Sequence, residues 1–124
     1  ESSEKLRQDF MNLVDLDVIA YQSKDLRKSL DVPFMICRLC AEASKLCLPL
    51  IKKGNVNLAS DVAVAAIFLE SAFVAAYFNV EINLKMLGDK KLTQSITKEL
   101  DQKEKLVKKI RTRTEAQVGK IIRG

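Results

Sequence analysis

An all-α fold is predicted by three features of this 124-residue sequence. Its apolar positions are rich in Ala and Leu, which lose little side-chain freedom in a helix. Only four Gly and two Pro punctuate it, which favours long helices joined by short turns over strands. Apolar residues also recur at helical spacing over long stretches. With 48% apolar and 30% charged residues, the chain suits one domain over residues 1–124 with a single core. It is too polar to be mainly membrane-embedded. The expected architecture is an elongated antiparallel bundle of about four long helices, dimeric.

Residues 4–22 read as a first helix, because Leu6, Phe10, Leu13 and Ala20 project within about 40° of one direction at 100° per residue. The stretch SKDLRKSLD then reads as a polar connector. Pro33 suits the first turn of a second helix after Asp31, which runs to Lys53 and stops at Gly54. Pro49 inside it is expected to kink or loosen the last turn. Asn57 or Ser60 caps a third helix reaching about Leu87. A fourth runs from Asp89 to about Ile122, its narrow stripe formed by Leu92, Ile96, Leu100, Val107, Ile110, Val118 and Ile121. Neither an internal repeat nor a low-complexity linker is present.

The third helix is apolar nearly all round, so it belongs at the centre of a bundle or in lipid. Glu70 near its middle makes a bilayer costly and favours the bundle. Its many alanines, Ala59 to Ala76, let neighbouring helices approach closely, within the chain or across a dimer. The sequence opens on a charged stretch and not on an apolar run, so no signal peptide within it and a cytoplasmic protein with no membrane partner are expected.

Net charge is +5, carried unevenly: residues 1–84 sum to −2 and residues 85–124 to +7. A basic helix attracts polyanions, yet a solvated face explains it as well. This segment lacks aromatic residues for base stacking and alternates Lys with acids in KELDQKEKLVKKIR, which argues against nucleic acid. Cys37, Cys40 and Cys47 share one predicted helix; with no His and no second Cys pair, CRLC is a poor zinc site and the thiols read as buried filler. No metal site is expected.

Several polar residues sit where a core does not need them. On the first helix Asp17 projects with the apolar stripe and Asp15 opposite it. A carboxylate facing a core pays desolvation unless paired, and the same desolvation raises its pKa toward the range useful for proton transfer. Asp17 is thus either a buried anchor or an acid/base. Asp61, near the start of the third helix, is either stabilised by the unpaired amides there or part of a site. Asn79 and Asn83, one turn apart, either bond a neighbouring helix or present amides to a polar ligand. Asp61 and Asn79 lie five turns apart on one face, roughly 27 Å along the axis, so one chain cannot place both in a small site. A two-fold dimer with these helices antiparallel can.

At GNVNLASDVAVAA and AAYFNVEINL the sequence resembles the cyclodeaminase and cyclohydrolase family of folate enzymes. The resemblance rests on Gly54 and Asn55, on Ser60 and Asp61, and on Asn79, Val80, Ile82 and Asn83 in that order and spacing. LVDLDVIAYQ also aligns with a family segment, mapping its acidic residue, Ala and aromatic to Asp17, Ala20 and Tyr21. The family's N-terminal glycine- and serine-rich turn and the helix after it have no counterpart here, and the connector before Pro33 is shorter. The chain therefore corresponds to about the last two thirds of the family domain.

This resemblance implies an all-helical homodimeric enzyme acting on a one-carbon unit carried by tetrahydrofolate. Cyclodeamination closes the N5-formimino group onto N10 and expels ammonia. Cyclohydrolysis adds water to the methenyl carbon and opens the ring to 10-formyltetrahydrofolate. Either reaction needs a proton moved at nitrogen or oxygen, which one carboxylate can do with no metal and no organic cofactor. Asp17 is the implied acid/base; Asn55, Ser60, Asp61, Asn79 and Asn83 are the implied folate-binding groups. The alternative is a catalytically inactive helical-bundle interaction module.

Overall fold

The computed structural model describes residues 2–23, 25–52 and 56–124, with side chains placed for all of these except 2 and 17–23. Every element among the described residues is helical: α1 (Ser2–Ser23), α2 (Leu26–Ser44), the short α3 (Cys47–Ile51), α4 (Val56–Leu87) and α5 (Lys90–Arg123). The all-α expectation holds, as do the approximate positions of the first, third and fourth long helices.

The expected polar connector and the placement of Pro33 in a first turn are overturned. The second helix begins at Leu26, because the Asp25 carboxylate caps it by accepting from the Arg27 and Lys28 amides at 3.0 and 3.2 Å. Pro33 therefore lies well inside α2. A proline there lacks the N–H that would bond the carbonyl four residues earlier, at a cost of about 3 kcal/mol or more in an isolated helix. That carbonyl belongs to Ser29, and it accepts instead from Asn83 Nδ2 of α4 at 3.3 Å. A side chain from the neighbouring helix thus replaces the donor that proline removed. Pro49 acts as expected: the helix is interrupted at Lys45–Leu46 and resumes as the single turn of α3. Lys53, Gly54 and Asn55 fall outside the described residues, so the helix stop expected at Gly54 does too.

Helix α4 starts at Val56, ahead of both caps proposed for it, which leaves Asn57 and Ser60 inside the helix. It ends at Gly88, whose φ of 69° is the left-handed conformation that glycine adopts without strain, and the Gly88 amide donates to the Leu84 carbonyl at 3.0 Å. Asp89 then caps α5, accepting from the Leu92 amide at 3.0 Å. Contacts between Tyr77 and Asp101, and further on between Glu70 and Arg111, carry α5 back along α4.

The inward stripe of α4 is Ala59, Val62, Ala66, Phe73, Ala76, Tyr77, Val80 and Leu84, mostly at steps of three, four or seven residues. One core group joins Phe73, Tyr77 and Val80 to Leu30, Cys37 and Cys40 of α2 and to Ile96, Leu100 and Val107 of α5. A second joins Ala59, Val62 and Ala66 to Cys47, Ile51, Ile110 and Val118. The three cysteines are buried filler, as their spacing suggested. Burial pushes the Cys37 thiol up to about 12 and Cys40 up to about 11. Within α1, Leu13 is the one buried side chain among those described, with Leu6 and Phe10 half-buried.

The expectation that α4 is enclosed on all sides is not met by one chain. Helices α2, α3 and α5 pack on one side of it, while Phe68 and Phe78 on the other side are 68% and 62% exposed. Hydropathy alone could not separate burial within a chain from burial by something outside it.

Candidate functional site

The residues singled out in the sequence are distributed along α4. Ser60 and Asp61 are exposed near its start, beyond the first turn, so the helix-end amides do not account for Asp61. Asn79 is exposed near its end. Asn83 is half-buried, and its Nδ2 is engaged twice, with the Ser29 carbonyl at 3.3 Å and the Asn79 carbonyl at 2.8 Å. Of the two readings of Asn83, a bond to a neighbouring helix is what the structure contains. Asn55 lies outside the described residues. Asp17 belongs to α1, but its side chain lies outside them, while Asp15 is exposed as its direction on the helix required.

The rise of an α-helix keeps Asp61 and Asn79 roughly 27 Å apart along α4. They share a face without sharing a cavity. A groove of about 280 Å³ between α1, α3 and α4 is lined by apolar side chains including Leu6, Phe10, Leu50, Val62 and Leu69. A second, of about 390 Å³, lies at the α4–α5 turn beside Lys85, Gly88 and Lys90, and a third, of about 230 Å³, between α1 and α2. Asp61, Asn79 and Asn83 line none of these three.

The remaining polar groups of α4 hold the helices together. Glu70, the charge that stood out in the apolar run, accepts from Arg111 Nε of α5 at 2.8 Å, and Arg111 also donates to Glu115 at 3.1 Å. Arg38 of α2 makes a two-pronged bond to Glu99 at 2.7 and 2.8 Å while its guanidinium stacks 4.0 Å over the Phe34 ring. That pairing holds the Glu99 carboxyl below its ordinary value. The Tyr77 phenol donates to Asp101 at 2.7 Å. Burial, and then the bond to Asp101, raise its pKa. Sequence reasoning passed over Tyr77 and Asp101. The available signal was a tyrosine on the inward face of an apolar helix, whose hydroxyl requires a partner once buried.

A family model described as formiminotransferase-cyclodeaminase matches residues 20–102, from the end of α1 to the first third of α5. The chain belongs to the formiminotransferase-cyclodeaminase family. The matched span contains Asn55, Ser60, Asp61, Asn79 and Asn83, and begins just after Asp17. Among similar proteins, a methenyltetrahydrofolate cyclohydrolase of Methylorubrum extorquens is 36% identical over 76 residues, covering 61% of this chain and 36% of that protein. Formimidoyltransferase-cyclodeaminase of Gallus gallus is 36% identical over 92 residues, 68% of this chain and 16% of the bird protein. The enzyme of the same name from Rattus norvegicus is 38% identical over 64 residues, covering 52% and 12% respectively. The chain thus spans about a third or less of the family members it matches.

Proposed function

We propose that the protein acts in folate one-carbon metabolism, on 5-formiminotetrahydrofolate with release of ammonia or on 5,10-methenyltetrahydrofolate with addition of water. The observation that carries this reading is the family match over the whole of α4, the helix that holds Ser60–Asp61 at one end and Asn79 and Asn83 at the other. The three relatives carry two names, a cyclohydrolase and a cyclodeaminase, so both substrates remain in the proposal.

Both reactions share a chemical demand. In cyclohydrolysis, water oxygen bonds to the methenyl carbon and loses one proton; the tetrahedral carbon then breaks its bond to N5, which takes up a proton, while the remaining hydroxyl proton leaves as the formyl C=O forms. In cyclodeamination, N10 bonds to the formimino carbon and gives up its proton, and ammonia leaves after its nitrogen is protonated. One carboxyl placed at that carbon serves as base and then as acid, and no metal or organic cofactor is needed. Asp17 is assigned this role. Asn55, Ser60, Asp61, Asn79 and Asn83 are assigned to binding and orienting the folate, and the working protein to a cytoplasmic homodimer.

The test is turnover. Purified protein is supplied with each substrate, following loss or gain of the methenyl chromophore and release of ammonia. Asp17→Asn is expected to lower turnover by about 100-fold or more, the scale of a lost general acid/base, with helical content unchanged. Asp15→Asn should stay within a few-fold, as an exposed carboxylate on the other side of α1. Equal losses would make Asp17 a structural anchor. Absence of turnover with both substrates would leave the inactive interaction module as the reading.

A further inference from the structure

The Asn83 side chain is held in one orientation by two neighbours that can only accept. It lies against the Ser29 carbonyl at 3.3 Å and the Asn79 carbonyl at 2.8 Å. A carbonyl offers no proton, so the atom between them is the Nδ2 nitrogen, and both of its protons are engaged. Oδ1 occupies the other branch of the carboxamide and accepts no bond from a described residue. It is not sealed from solvent either, because the one buried side-chain polar atom without a partner among the described residues is Thr114 Oγ1.

The bond to the Asn79 carbonyl is local, four residues back on α4, and by itself would let the side chain swing between the helix and solvent. The bond to Ser29 removes that freedom. The Ser29 carbonyl is open to it because Pro33, four residues on, has no N–H to return. Pro33 on α2 thus decides which end of a carboxamide on α4 faces outward. We propose that Pro33 is a positioning residue for the substrate site: it holds Asn83 Nδ2 inward, so that Oδ1 stands as a fixed acceptor for an N–H of the folate's pterin ring.

This assignment rests on the function proposed above and narrows it to one contact of stated polarity. A reduced pterin carries N–H donors at N3, at N8 and on its exocyclic amino group. All three remain whether N5 bears a formimino group or is closed into the methenyl ring, so a fixed acceptor suits both candidate substrates. Asn79, Asn83 and Met86 project within about 60° of one another at 100° per residue. The exposed Asn79 carboxamide, about 6 Å earlier along the axis, supplies both a donor and an acceptor. Met86, 60% exposed, offers a soft apolar surface to the face of a ring. An acceptor oriented before the ligand arrives loses no rotamer freedom on binding, and its advantage over a mobile asparagine lies there.

The full chain is tested by calorimetric binding of 5-formyltetrahydrofolate, which keeps the same pterin N–H groups, together with thermal unfolding. Pro33→Ala returns an N–H to the Ser29 carbonyl, which then no longer depends on Asn83. It should leave the unfolding midpoint unchanged or raised, because an interior helix position prefers alanine, and yet weaken binding about 3-fold or more. Asn83→Ala removes the acceptor itself and should weaken binding about 3–10-fold, the worth of one hydrogen bond. The two losses should overlap, so that the double variant binds about as Asn83→Ala does. With either substrate the loss should fall on KM more than on kcat, since the ring is held throughout the reaction. A parent chain that binds no folate would remove the functional reading and this assignment together. A parent that binds, with Pro33→Ala binding equally well, with a lowered midpoint in that variant or with fully additive losses, would overturn this assignment and leave the functional reading standing.

Discussion

Asn83 has a structural task that Pro33 created. The proline leaves the Ser29 carbonyl without its intrahelical donor, and the Asn83 amide supplies one from α4. Asn83→Ala should therefore destabilise the chain by about 0.5–1.5 kcal/mol, the net worth of a hydrogen bond between half-buried groups, as read from urea midpoints. In a Pro33→Ala background the same substitution should cost measurably less, because the helix then satisfies Ser29 itself. An equal cost in both backgrounds would detach Asn83 from Pro33. At the thiols, Cys37 and Cys40 are neutral in the fold well past the point at which they ionise in an unfolded chain, near 9.0. Between that value and about 12 the unfolded state has lost protons that the folded state keeps, so stability falls as pH rises through this window and is complete below it. Denaturation at a series of alkaline pH values checks the slope, and Cys37→Ala should flatten it while lowering stability at neutral pH. The thiols were legible from helical spacing. The partnership of Pro33 and Asn83 was not, since it joins residues on two helices whose packing no local pattern encodes.

Among the elements, α4 and α5 were the most legible. Gly88 and Asp89 combine a left-handed stop with an N-cap, both written locally in the sequence. The start of α2 was not legible, because a mid-helix proline normally argues for a boundary and only a tertiary bond overrides it. The candidate site divides the same way. Ser60, Asp61, Asn79 and Asn83 could be picked out as polar residues in an apolar helix, yet which of them face outward depended on where α2 and α5 pack. Leu100 sits fully buried where α5 meets both α2 and α4. Leu100→Ala should cost about 2–5 kcal/mol, whereas Val14→Ala on the exposed side of α1 should stay within about 0.5 kcal/mol, both by chemical denaturation.

At the scale of the whole molecule, charge is segregated. Lys91, Lys98, Lys105, Lys109, Arg113 and Lys120 are exposed and project from α5 within about 40° of one direction, while three of its four acids, Glu99, Asp101 and Glu115, are taken up by Arg38, Tyr77 and Arg111. If this ridge collects polyglutamate tails of the folate, a polyglutamylated substrate should bind more tightly than the monoglutamate, with the gap closing as salt is added. Equal affinities at low salt would leave the ridge as solvated surface. A different consequence comes from α1, which commits only Leu13 fully to the interior among its described side chains. The free energy to detach that helix is small beside the energy to dissolve the α2–α4–α5 core, so α1 is expected to open as its own unit. Amide hydrogens of residues 3–16 should then exchange with solvent deuterium through this partial opening, far ahead of those flanking Phe73 and Leu100. Asp17 rides on the same helix. A folate that touches both Asp17 and α4 must close this opening to bind, so bound substrate should slow exchange in α1 even in a variant that cannot turn it over.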